Sequence, residues 1–116
     1  MNFNWFFLFF NKKMEIKLQE FMHLEEELLF CENQEKFTMP FQDYIVLDKF
    51  LTEVENITNL YFQLITDYNK EINKLDIKND ERVEKMQTYN QKLLEEKVKF
   101  DFEPYREFMG KWKIKI

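Results

Sequence analysis

The stretch from Phe41 to Leu75 constrains this chain more than any other, because its apolar residues hold to one helical face throughout. Phe50, Val54, Ile57, Tyr61, Leu64 and Tyr68 recur at alternating steps of four and three, with Leu47 in register before them and Leu75 after. Leu51, Ile65 and Ile72 widen this seam to the face expected of a helix packed against partners. No Gly or Pro interrupts the run, and Pro40 stands just outside its start, where a fixed φ and a missing donor cost little. At 1.5 Å per residue such a helix is roughly 50 Å long. It cannot bury its seam alone, so the flanking segments are expected to cover it, with burial deepest around Ile57, Tyr61 and Leu64.

Those segments carry their own periods. Ile16 and Leu18 alternate with Glu15, Lys17 and Gln19, which predicts a short half-buried strand starting at Met14. Phe21, Leu24, Leu28 and Cys31 then fall at steps of three, four and three, which predicts a first helix. Beyond Leu75 a tight turn over 76–79 leads to a third helix, with Asn79 as its expected N-cap and Asp80 and Glu81 in its first turn. Val83, Met86, Leu93 and Leu94 form its apolar stripe. Asn90 interrupts that stripe, as polar residues that fix register in helix–helix seams do.

Two more strands are expected near the C-terminus. Val98, Phe100 and Phe102 alternate with Lys97, Lys99, Asp101 and Glu103 and stop before Pro104. After the turn residue Gly110, Trp112, Ile114 and Ile116 alternate with Lys111, Lys113 and Lys115. Short connections make both shorter helices antiparallel to the long one, bringing the first and second strands together near its middle. The expected fold is α+β and mostly helical. One long central helix is flanked by two shorter antiparallel helices, and the two chain ends supply an antiparallel sheet of about three strands.

Residues 1–13 stand apart as an aromatic N-terminal extension, and residues 14–116 read as one domain. Trp5 to Phe10 is an apolar run far short of the roughly 20 residues of a membrane span, and its lysines follow it instead of preceding it as in a secretory signal. Two expectations stand. Either Met14 is the true start and the extension is a start-codon artefact, the reading placed first, or the aromatics pack on the fold, on a second copy or at a membrane surface.

Charge narrows the partners. The net charge of −5 is uneven: residues 14–96 hold nine Lys/Arg against nineteen Asp/Glu, and residues 97–116 hold six against three. An acidic body repels nucleic acid and anionic lipid at long range. A single Cys31 excludes an internal disulfide and agrees with a reducing compartment.

Chemistry-bearing motifs are missing. Gly110 is the only glycine, so no phosphate loop can form, and one Cys with one His gives no zinc spacing. His23 and Glu27 stand one turn apart, but a lone His beside a Glu run is ordinary helix surface. His23 and Cys31 lie eight residues apart on one helix and point differently. The reading is a chain that is not an enzyme, with no cofactor and no metal.

From Met14 onward the chain resembles a family of small uncharacterised proteins of phages and prophages from low-GC Gram-positive bacteria. The residues that carry the likeness are Met14-Glu15-Ile16-Lys17-Leu18, then Lys36 with Pro40 and Tyr44 before Leu47, then Asn90 to Leu94 running into Val98-Lys99-Phe100. The turn Leu75-Asp76-Ile77-Lys78-Asn79 is shorter and poorer in Gly and acids than that family's pattern. The resemblance implies a phage-borne accessory or virion-assembly protein in the bacterial cytoplasm and carries no catalytic residues.

The functional expectation is therefore a non-catalytic interaction protein, virion-assembly or tail-associated, acting through contacts with a virion or host protein. One alternative is an inhibitor of a host defence system whose acidic helices imitate nucleic acid, with Glu53, Glu55, Asp67 and Glu71 among the carboxylates. The other is a nucleic-acid-binding accessory using a basic strand face built from Lys97, Lys99, Lys113 and Lys115, joined by Lys17 and Lys111. Nucleic acid is disfavoured, because that face lacks stacking aromatics and lysines on wet strands commonly guard against edge pairing. No membrane span is expected. The heptad seam leaves a homo-oligomer open.

Overall fold

A computed structural model describes residues 13–115. The chain runs β1 (Lys13–Lys17), α1 (Leu18–Glu35), α2 (Phe41–Asn73), α3 (Asn79–Glu95), β2 (Lys97–Asp101), a 3₁₀ turn (Glu103–Tyr105) and α4 (Arg106–Trp112). It is mostly helical, with one antiparallel pair of strands. Residues 1–12 of the expected 1–13 extension and Ile116 lie outside the described residues, and Lys13 opens β1.

α2 is the spine. Its 33 residues span about 50 Å at 1.5 Å each, against a longest molecular axis of 55 Å. Pro40 sets the entry with φ −56° and an extended ψ, and Asp43 and Lys70 place charges of the favourable sign at the two ends of the helix dipole. α1 lies antiparallel along the N-terminal half and buries Phe21, Leu24, Leu28 and Cys31 against it. The turn between them is closed by the Met39 N–H donating to the Glu35 carbonyl (2.8 Å), with the Met39 side chain buried beneath.

α3 lies antiparallel along the C-terminal half. Tyr68 and Tyr89 stack there with ring centroids 4.1 Å apart, and the Tyr61 hydroxyl donates to the Asn90 side chain. Asn90 is thus the polar seam residue that its position suggested. The N-cap expectation is corrected: α3 begins at Asn79 itself, and Lys78 occupies the cap without a side-chain hydrogen bond. The turn is held from below instead, by the Arg82 guanidinium donating to the Leu75 carbonyl (2.9 Å).

The two strands pair Lys13 with Asp101, Met14 with Phe100, Glu15 with Lys99, Ile16 with Val98 and Lys17 with Lys97. The ladder extends one step as the Leu18 N–H donates to the Glu96 carbonyl (2.8 Å). Among the described residues the sheet has two strands, so the third expected strand is corrected. Tyr105, Phe108, Met109 and Trp112 follow steps of three, one and three, a helical period that takes in Gly110 and overrides the alternation that follows it. α4 ends in a Schellman turn, with Lys113 left-handed (φ 56°, ψ 42°) and the Ile114 N–H donating to the Met109 carbonyl (3.0 Å).

This C-terminal segment runs back along the N-terminal half of α2 and builds an aromatic core there. Phe50 stacks on Tyr105 at 4.1 Å with the rings parallel within 1°. Phe21 meets Phe100 edge-on at 5.2 Å, and Phe102 lies against both Phe21 and Phe50. Leu47, Phe50, Val54 and Thr58 are fully buried, whereas Leu64 is 48% exposed and Ile57 only half-buried. The expectation of deepest burial around Ile57, Tyr61 and Leu64 is corrected, Tyr61 alone being buried. Three elements cover the first half of α2, and beyond Tyr61 chiefly α3 does. The molecule is a packed body from which α2 and α3 project as a two-helix arm.

Candidate interaction surfaces

The basic face does not form as one surface. Lys97 and Lys99 are exposed on β2, but Lys113 and Lys115 follow α4 and lie off the sheet. The wet face of the sheet neutralises itself: the Lys99 ammonium lies 3.8 Å from the Glu15 carboxylate, and Lys17 lies 3.6 Å from Glu95. Lys111, another expected member, is drawn 2.7 Å from the Asp43 carboxylate at the far end of the molecule. The expected lysine patch is therefore corrected to separate charges on three elements.

The acidic residues are divided too. Glu53 and Glu55 sit half-buried on the first half of α2, and Asp67 and Glu71 are exposed roughly 20 Å further along the arm. Glu71 is paired with Lys74 at 3.0 Å, and Asp67 and Glu71 share their groove with Lys70 and Lys74. Other carboxylates serve the fold. Glu25 accepts from the Thr58 hydroxyl, with the Glu55 carbonyl 3.2 Å away as the alternative acceptor, and so satisfies the one polar side chain buried in the core among the described residues. Asp43 accepts from Lys111 and from the Trp112 indole N–H (3.1 Å). Chiefly through the Lys111 bond, its carboxyl is held below the ordinary 3.8, against the opposing pull of desolvation.

Tyr105 is the most perturbed group. Burial first, and then the Glu53 and Asp101 carboxylates, raise its phenol far above the ordinary 10.0. Its hydroxyl is buried and makes no hydrogen bond of normal geometry. It lies inside the aromatic core, with its ring stacked on Phe50. Burial likewise raises the Cys31 thiol, leaving it less thiolate and less reactive. Among the described residues no cluster of three or more His, Cys, Asp or Glu is arranged to hold a metal ion. No described helix is long and apolar enough to cross a membrane.

The surface that sequence periodicity missed is apolar. Around the turn from α1 to α2, Phe37 is 92% exposed and Phe41 77%, with Ile45 partly exposed one turn on; Phe30, 64% exposed on α1, lines a groove with His23, Glu26 and Glu27. The Lys36 ammonium lies 5.2 Å from the Phe37 ring centroid. Phe41 and Ile45 stand one turn apart on the α2 face opposite the seam. That off-period pair was the available signal, masked by the strength of the seam itself. Comparison of the chain with family models, curated proteins and solved structures finds no match in any of the three.

Proposed function

We propose that this chain is a non-catalytic interaction protein that grips another protein through the exposed Phe37 and Phe41 at the turn from α1 to α2. One observation carries the reading: Phe37 in the turn and Phe41 at the start of α2 are held largely in water. Each would release about 1.5–3 kcal/mol on burial, and aromatic side chains are enriched at interface centres. The resemblance to phage and prophage proteins supports a virion-assembly or tail-associated role in the bacterial cytoplasm. The acidic-mimic and nucleic-acid readings have less support. Their charges are scattered over separate elements, interleaved with the opposite sign, or occupied inside the fold.

The test is partner capture in phage-infected host cells with three variant sets of unchanged circular dichroism. Phe37→Ser with Phe41→Ser is expected to abolish capture. Lys97, Lys99, Lys113 and Lys115 changed to Gln are expected to leave it intact. Reversal of Asp67 and Glu71 is also expected to leave it intact, and loss of capture there alone would move the function to the acidic helices.

A further inference from the structure

We propose that the α2–α3 arm packs face to face on the arm of a second copy, closing a four-helix bundle. This face is distinct from the Phe37–Phe41 surface, so the two can fail independently. α3 buries only Leu93 among its 17 residues, because two helices cover one line of contact and leave their flanks open. On one flank of α2, Leu60 is 62% exposed and Leu64, one turn on, 48%. Tyr68 continues that row by another turn and stacks on Tyr89 of α3. The groove beside this stack is lined from α3 by Glu81, Glu84, Lys85 and Lys92.

The order of those charges selects the occupant. Acids come first along α3 and lysines last, all on one helical face. Packed against its own copy about a two-fold axis near Lys85 and Thr88, α3 meets itself antiparallel. Glu81 of one protomer then faces Lys92 of its partner, and the same pair recurs on the other side of the axis. Neither partner surface is left with an excess of one sign, and the Leu60–Leu64–Tyr68 row is covered at the same time. The area suffices: an arm about 25 Å long and roughly 20 Å across gives roughly 1,000 Å² of footprint over two copies. Accessible area exceeds footprint, which brings it to the lower range of about 1,200 Å² for stable interfaces.

The experiment is sedimentation velocity of the full chain across a concentration series, with circular dichroism as a check on folding. The wild type is expected to be a dimer. Leu64→Asp is expected to give a monomer with unchanged helicity. Lys92→Glu is expected to raise the dissociation constant about tenfold or more, since symmetry applies each change twice. The double variant Glu81→Lys with Lys92→Glu restores opposite charges across the axis and is expected to recover the dimer. A wild-type monomer overturns the proposal and leaves the face to a different protein. A dimer indifferent to Leu64→Asp and Lys92→Glu places the interface elsewhere and overturns it as well, and so does a double variant no tighter than Lys92→Glu alone.

Discussion

The indole N–H of Trp112 donates to the carboxylate of Asp43 at 3.1 Å, joining positions 69 residues apart. Lys111 approaches the same carboxylate at 2.7 Å, so one side chain in the first turn of α2 holds the end of α4. Asp43→Ala is expected to loosen α4, lowering the urea midpoint and shifting indole emission to the red. Because the folded carboxyl lies below the ordinary 3.8, the unfolded chain takes up its proton first on acidification. The stabilisation is complete above about pH 4 and is lost as pH falls through the folded value. Acid titration of the wild type and Asp43→Asn should show this pH dependence in the first and not in the second.

Tyr105→Phe should leave stability unchanged or raise it. The hydroxyl it removes is buried beside the Glu53 carboxylate without a hydrogen bond of normal geometry, so little is lost with it. The sign in alkali is set by the raised phenol. The neutral form is the one the fold tolerates, so stability holds below pH 10.0 and falls as pH rises beyond it. Phenolate absorbance should show Tyr105 ionising only with unfolding, and the Phe variant should unfold at higher pH.

Leu47→Ala should cost about 2–5 kcal/mol, as for a fully buried leucine beside an aromatic core. Leu64→Ala, at half exposure on the arm, should cost less than about 1 kcal/mol. Denaturant unfolding of both at low protein concentration measures the difference. Equal costs would mean that the arm is as tightly packed as the body.

Lys113→Gly is expected to stabilise by up to about 1 kcal/mol. Lys113 closes α4 from a left-handed conformation (φ 56°) that a Cβ disfavours and glycine adopts freely. The gain is offset in part by the freedom glycine adds to the unfolded chain. A thermal midpoint below that of the wild type would show that the lysine side chain contributes more than the strain removes.

Much of this architecture could be read from the residues, and the failures have specific causes. α2 was legible because the seam from Leu47 to Ile72 has no competing period, and its expected start at Phe41 is the observed one. β1, α1, α3 and β2 followed from clear switches between periods of two and 3.6. α4 was missed because Lys111 to Ile116 alternates cleanly, while Gly110, taken as a turn, sits inside the helix. Pro104 at the head of the 3₁₀ turn was the overlooked start signal. Periodicity names the face of a helix that is buried but not the stretch along which partners cover it, which is why Leu64 was misplaced. The exposed phenylalanines were missed for a related reason. Composition counts Phe as core, and although spacing sets Phe41 off the seam, only the fold shows how far Phe30, Phe37 and Phe41 are exposed.

The order of synthesis sets when β1 can pair with β2. Lys17 and Lys97 are partners about eighty residues apart, so β1 leaves the ribosome long before its partner strand is translated. At about 5–20 residues per second that interval is on the order of ten seconds. The α1–α2 and α2–α3 hairpins need only local contacts and can zip within it, whereas closing the sheet must wait until β2 has been made. Throughout that wait Ile16 and the first strand's backbone donors have no ladder to join. The nascent protein thus passes that interval as a set of helices with an open strand edge, and the emergence of β2, rather than helix formation, is the event that completes the sheet.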